Sequence, residues 1–117
     1  MTFMLLILEE PGQRATRTES EGRALYDRML EYSATLKSRG VLLASQSLKA
    51  STEGVRVTVR DGRRLLVDGP FSEAKEMVGG YFLLDCATRE EAVAIAGEVP
   101  AAEWATVEVR EFGPCFM

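Results

Sequence analysis

Two stretches of this chain are apolar on both faces, and they constrain the fold more than any other feature. Residues 2–8 read Thr-Phe-Met-Leu-Leu-Ile-Leu. In a strand, Phe3, Leu5 and Ile7 point one way and Met4, Leu6 and Leu8 the other. Residues 78–85 repeat the pattern, with Tyr81 and Leu83 on one face and Phe82 and Leu84 on the other. A strand without a polar face needs cover on both sides. The chain is therefore expected to hold a sheet whose two central strands lie far apart in sequence.

The segments between them have equally readable signals. Residues 9–17 are polar, contain Pro11-Gly12 and read as a loop. Thr18-x-x-Glu21 is a capping box that opens a helix, and Leu25, Met29, Tyr32 and Leu36 form its buried stripe. Arg39-Gly40 ends it. Val41 to Ala44 begins a second strand. Val55, Val57 and Val59 alternate with Arg56, Thr58 and Arg60, Asp61-Gly62 is a two-residue hairpin turn, and Arg63 to Val67 returns from it. The four arginines of this hairpin read as an anion site or as the solvated face of an edge ribbon. Ser72 is expected to cap a short helical turn reaching Met77. Thr88-x-x-Glu91 opens a second helix, with Ala92, Ile95, Ala96 and Val99 inward, and Pro100 stops it. Trp104 to Glu111 reads as the last strand, followed by an apolar tail with Phe112 and Phe116.

The resulting order is β-α-β-hairpin-β-α-β. This predicts an α+β, ferredoxin-like βαββαβ fold with an inserted β-hairpin, in a single domain over residues 1–117. In that topology the first and third main strands are central, and these are the two doubly apolar ones. Two helices cover one face of such a sheet. The apolar side chains left on the other predict a homodimer packed sheet to sheet, a dimeric α+β barrel.

Composition narrows the chemistry. The chain has 117 residues, a net charge of −4 and no His. A Ser-His-Asp triad, a Cys-His dyad and His-based zinc sites are thereby excluded. Acid–base work falls to Asp, Glu, Lys or Tyr. Cys86 and Cys115 read as reduced thiols of a cytoplasmic protein, and neither a metal nor a cofactor is expected. The acidic balance argues against a nucleic-acid partner. No apolar run approaches the length of a membrane span, so no membrane partner is expected. The apolar start lacks a preceding basic region and a cleavage site, which distinguishes it from a signal peptide.

One segment stands out chemically. Asp68-Gly69-Pro70-Phe71 falls where a strand ends, with Glu73, Lys75, Glu76, Gly79, Gly80 and Tyr81 close behind. Gly69 has conformational freedom, Pro70 fixes its own φ, and Phe71 is a large apolar anchor. This is also ordinary turn chemistry.

In its longer blocks the sequence resembles the YCII-related family, in particular the branch of DGPF-domain proteins. The resemblance runs through Phe3 to Ile7, Val57 to Gly62, Val67 to Glu76, Gly79 to Asp85 and Val107 to Arg110. It implies a dimeric α+β barrel. It also implies small-molecule chemistry, or an accessory role in transcription regulation, since some members are encoded beside alternative sigma factors. Some members carry a His-Asp pair proposed as catalytic, which a chain without His cannot reproduce. DGPF-type members tend to show Gly-Glu after the second strand, where this chain has Ala44-Ser45-Gln46-Ser47.

Three roles stand open at this point. In the first, a small molecule binds or reacts near the segment, with Asp68 as the catalytic acid or acceptor, Lys75 holding an anion, and Phe71 and Tyr81 lining the pocket. In the second, the chain is a non-catalytic accessory protein that makes contact through the hairpin and tail. In the third, the Asp68 segment only shapes the dimer.

Overall fold

The structure, a computed structural model, describes residues 1–71 and 73–116. Its elements are β1 (Thr2–Glu9), α1 (Glu19–Ser38), β2 (Leu42–Ser47), β3 (Val55–Arg60), β4 (Arg63–Asp68), β5 (Met77–Asp85), α2 (Arg89–Glu98) and β6 (Thr106–Glu111). Short 3-10 turns lie at Gln13–Thr16, Ser51–Glu53 and Pro100–Glu103. The sheet order is β2-β5-β1-β6, all antiparallel, so the two doubly apolar strands are indeed central. The architecture is the α+β, ferredoxin-like one.

Alternation in β1 decides the layers. Phe3, Leu5, Ile7 and Glu9 are buried, and the residues between them are half-exposed. On β5 the partners of Phe3 and Leu5 are Leu84 and Phe82, also buried. Both helices lie on this side. Ala92 and Ala96 of α2 are small enough to bring the helix close to the sheet, where Ile95 and Val99 complete the core. On the opposite side Met4, Leu6, Leu8, Tyr81 and Leu83 are only half-buried, because no helix packs there.

The helix ends follow their local chemistry. The Thr18 hydroxyl accepts from Glu21 N–H at 3.1 Å and the Glu21 carboxylate accepts from Thr18 N–H at 3.0 Å. Thr88 likewise accepts from Glu91 N–H at 3.1 Å, but Glu91 reaches back one residue further, to Ala87 N–H at 3.0 Å. At the end of α1 Gly40 has φ 77°. Its N–H donates to Lys37 C=O and that of Val41 to Leu36 C=O, the paired pattern that a left-handed residue after a helix permits.

Three expectations need correction. The last strand begins at Thr106, since Pro100–Glu103 winds as a 3-10 turn that Pro100 initiates and Trp104 leaves. Residues 73–76 form a turn and no helix; Ser72, its expected cap, lies outside the described residues. Glu9 belongs to β1 and not to the following loop, as its burial beside Ile7 shows.

Strands β3 and β4 form a separate two-stranded sheet, closed by Asp61 at φ 52° and Gly62 at φ 74°. Every residue of both strands is exposed, including Val55, Val57, Val59, Leu65, Leu66 and Val67. The radius of gyration, 16.0 Å, exceeds the roughly 13 Å usual for this length because the hairpin projects. Burying these six half-exposed aliphatic side chains against a surface would contribute roughly 1 kcal/mol each.

Candidate ligand-binding cleft

Helix α1 meets the sheet closely only toward its C-terminal end. Leu36 is fully buried, whereas Leu25, Met29 and Tyr32 on the same stripe are half-exposed. The helix stands off from the sheet toward its N-terminus. This leaves a cleft of about 420 Å³ between α1 and the helix-facing side of the sheet. Leu25, Tyr26 and Met29 form one wall, Ile7 and Phe82 the floor, and Trp104 completes the enclosure. Of the stripe expected to be core, Leu36 is core and Met29 and Tyr32 pack partly against it, while Leu25 and Met29 line the cleft.

Tyr32 and Ser33 hold the far end of the cleft. The Tyr32 ring packs edge-on against Phe82 with centroids 6.1 Å apart. Its hydroxyl lies 2.8 Å from Glu98 Oε2 and 3.2 Å from Ile95 O, bonding α1 to α2. Burial first, and then the Glu98 carboxylate, push the Tyr32 pKa upward, so the phenol stays a donor. Ser33 of α1 and Ser45 of β2 share a hydrogen bond of 2.9 Å across the cleft.

The near end is built from charge. Arg14 donates to both Glu9 oxygens, with Nη2 at 2.6 Å from Oε1 and Nε at 3.0 Å from Oε2. It also donates to Leu48 O at 2.6 Å and Gly79 O at 3.1 Å. One guanidinium therefore ties together the end of β1, the segment after β2 and the start of β5. The β1–β5 register shifts between Ile7 and Leu8, where Gly79 is skipped. A Cβ on Gly79 would sit 1.5 Å from Glu9 Oε1, so the buried carboxylate occupies the place of a side chain. A Cβ on Gly80 would meet Gln46 O at 2.8 Å. The Gly79-Gly80 pair thus lets β2 and Glu9 approach β5.

A second cleft, of about 440 Å³, lies on the other side of Glu9 and Trp104. Lys75, Glu76, Glu10, Gln13 and Glu103 line it. Gln13 donates through Nε2 to Trp104 O at 2.6 Å, and its Oε1 is buried without a partner among the described residues.

The four residues singled out in the sequence are not brought together. Asp68 ends β4, is exposed, pairs in register with Val55 and borders neither cleft. Phe71 packs near Gly54 and under the Arg56 guanidinium, 4.0 Å from its ring centroid. Lys75 lies in the second cleft. Tyr81 borders the first, but its register partners Leu6 and Gln46 put its ring on the face away from the helices. What the segment visibly does is anchor the hairpin. Gly69 N–H donates to Gly54 O at 2.8 Å, and a Cβ on Gly69 would fall 1.7 Å from Ser51 O.

The sequence reading missed Glu9, Arg14, Arg17 and Trp104 as cleft residues. Glu9 had a signal, since it continues the parity of Phe3, Leu5 and Ile7. The two arginines had none, because loop residues carry no periodicity. Among the described residues no group of His, Cys, Asp and Glu is placed to hold a metal ion, and no helix is long and apolar enough to cross a membrane.

Comparison with known proteins adds three findings. The YCII-related domain matches residues 1–114. An uncharacterized protein of Rhizobium meliloti (strain 1021) is 41% identical over 51 residues, covering 42% of this chain and 41% of that protein. The chain is also similar, at 16% identity and a TM-score of 0.56, to the 5-chloro-2-hydroxyhydroquinone dehydrochlorinase TftG from Burkholderia phenoliruptrix AC1100 in complex with 2,5-dihydroxybenzoquinone. That match covers 97% of this chain and 94% of the other.

Proposed function

We propose, from the premise that this chain belongs to the YCII-related domain family, that it binds a small organic molecule in the cleft between α1 and the sheet. The observation that carries the reading is the cleft itself. It is mostly apolar, of ligand size, and bounded at its two ends by fixed polar pairs, Glu9–Arg14 and Ser33–Ser45. Few, well-placed polar groups in an apolar concavity are what small-molecule sites have in common. The complex of the structurally similar dehydrochlorinase with a dihydroxybenzoquinone supports a ligand of this size. Both oxygens of Glu9 are engaged by Arg14, so the reading is of binding first.

The protein is proposed to do this as a homodimer of the α+β barrel type. The half-exposed outward sheet face and the projecting hairpin both support it. Four arginines against two aspartates give residues 55–68 a charge of +2 and leave the rest of the chain at −6. A basic arm on an acidic body favours a second copy over an unrelated accessory partner.

The test is direct because Trp104, the single tryptophan, lines the cleft. Titration with a set of small aromatic compounds is expected to change its emission saturably. Ligands that bind without touching Trp104 emission would remove the cleft from the proposal.

A further inference from the structure

We propose that the cleft selects an organic anion and that Arg17 is the residue that reads its charge. The inference rests on the cleft being a binding site and names the class of ligand that fits it.

Four charged side chains border the cleft: Glu9, Arg14, Arg17 and Glu19. Glu9 and Arg14 neutralise each other, and the donors of Arg14 go to Glu9, Leu48 O and Gly79 O. Glu19 reaches outward to Arg23 at 3.3 Å, on fully wetted surface. Among the described residues Arg17 makes no side-chain hydrogen bond and no ion pair. Glu21, the acid that feels the Arg17 charge, is taken up by the Thr18 N–H and lies outside the cleft lining, so the cationic donors left free at the cleft are those of Arg17.

Arg17 is also held in place. Its guanidinium carbon is 6.0 Å from the Trp104 ring centroid. A ring face positions a guanidinium without using its N–H donors. Arg28 lies 5.5 Å from the same ring, but it is spent on Glu103. Arg17 is half-buried, so its charge is screened less than one in open water. A planar fork of free donors beside an apolar wall suits a ligand with a carboxylate, sulfonate or enolate end. Its apolar body would lie against Leu25, Met29 and Trp104. A neutral ligand gains nothing from Arg17, and a cationic one meets repulsion.

The test uses two dyes with one ring system, anilinonaphthalene sulfonate and its neutral analogue phenylnaphthylamine. Gly22→Phe serves as the cleft-filling control. Gly22 borders the cleft and a Cβ there meets nothing within 4 Å, so the helix tolerates the change. The sulfonate is expected to bind about tenfold more tightly than the amine, with energy transfer from Trp104. Arg17→Gln should weaken the sulfonate about tenfold and leave the amine within twofold. Arg17→Lys should recover part of the loss. Equal binding of both dyes, or a sulfonate affinity unchanged by Arg17→Gln while Gly22→Phe weakens both, overturns the anion assignment and leaves the cleft standing. Indifference of both dyes to Gly22→Phe removes the cleft and the assignment together.

Discussion

Glu9 and Arg14 form a pair in which three nitrogen-to-oxygen contacts, 2.6 to 3.2 Å long, lock a buried carboxylate to a half-buried guanidinium. The pair sits where three segments of backbone converge. Removing one partner leaves the other charge uncompensated in a poorly solvated position.

Arg14→Ala is therefore expected to destabilise the fold by about 2–4 kcal/mol, a value below the fully buried case because Arg14 is one-third exposed. Gly79→Ala should cost a comparable amount, since its new Cβ overlaps Glu9 Oε1 and that carboxylate is pinned by Arg14. The double variant Glu9→Gln/Arg14→Met should recover part of the loss. Urea denaturation of the three variants checks this. A double variant worse than Arg14→Ala alone would mean the pair contributes through packing rather than charge.

Asp68 and Gly69 should behave oppositely although they are neighbours. Asp68 is exposed and its side chain makes no hydrogen bond among the described residues, so Asp68→Ala is expected to change stability by less than about 0.5 kcal/mol. Gly69→Ala drives a Cβ into the Ser51 carbonyl, which is backbone and cannot swing aside. It should destabilise by about 1–3 kcal/mol and release the hairpin base. Thermal melts of the two proteins separate the outcomes.

The projecting hairpin leads to an expectation about assembly. Val57 and Leu66 are register partners on one of its faces, each more than half exposed. Replacing both with Lys should leave the domain folded and shift it toward the 12.9 kDa monomer in sedimentation. A dimer that survives the double charge would confine the interface to the outward sheet face, where Leu6→Lys becomes the disrupting change.

The two thiols should differ sharply in reactivity. Cys86 is buried, and burial, reinforced by Glu91 and Asp85, pushes its pKa up, which suppresses the thiolate. Cys115 is exposed. A thiol reagent under native conditions should modify one site quickly, lost in Cys115→Ser, and reach Cys86 only on unfolding.

Acid should weaken the helix termini in a defined direction. Hydrogen bonds from Thr18 hold the Glu21 pKa below its ordinary 4.5, and those from Tyr32 and Arg39 do the same for Glu98. A carboxylate lowered in the folded state contributes stability that is present above its ordinary pKa and lost as pH falls below it. The melting temperature should therefore drop as pH falls from about 5 to 3. In Glu21→Gln/Glu98→Gln the drop should be shallower, so that the two proteins converge at low pH.

The amino-acid order alone determined the frame. Doubly apolar residues 2–8 and 78–85 had to be central, and they are. Thr18 and Thr88 had to open helices, Arg39-Gly40 had to close one, and Asp61-Gly62 had to turn a hairpin. Each of these is decided by local chemistry within a few residues. The two stretches misread, 73–76 and 104–105, carry weak local preferences and take their shape from neighbours.

Only the tertiary structure decided the site. Periodicity says which face of α1 turns inward, but not how far that face stands from the sheet. Leu36 closes onto the core while Leu25 and Met29, on the same stripe, border open space. Glu9 looked like the first loop residue because it is charged. Its burial depends on Arg14 and on the missing side chain of Gly79, seventy residues away in the chain. A long-range compensation of that kind leaves no local pattern, because the energy that permits it exists only once the three segments meet.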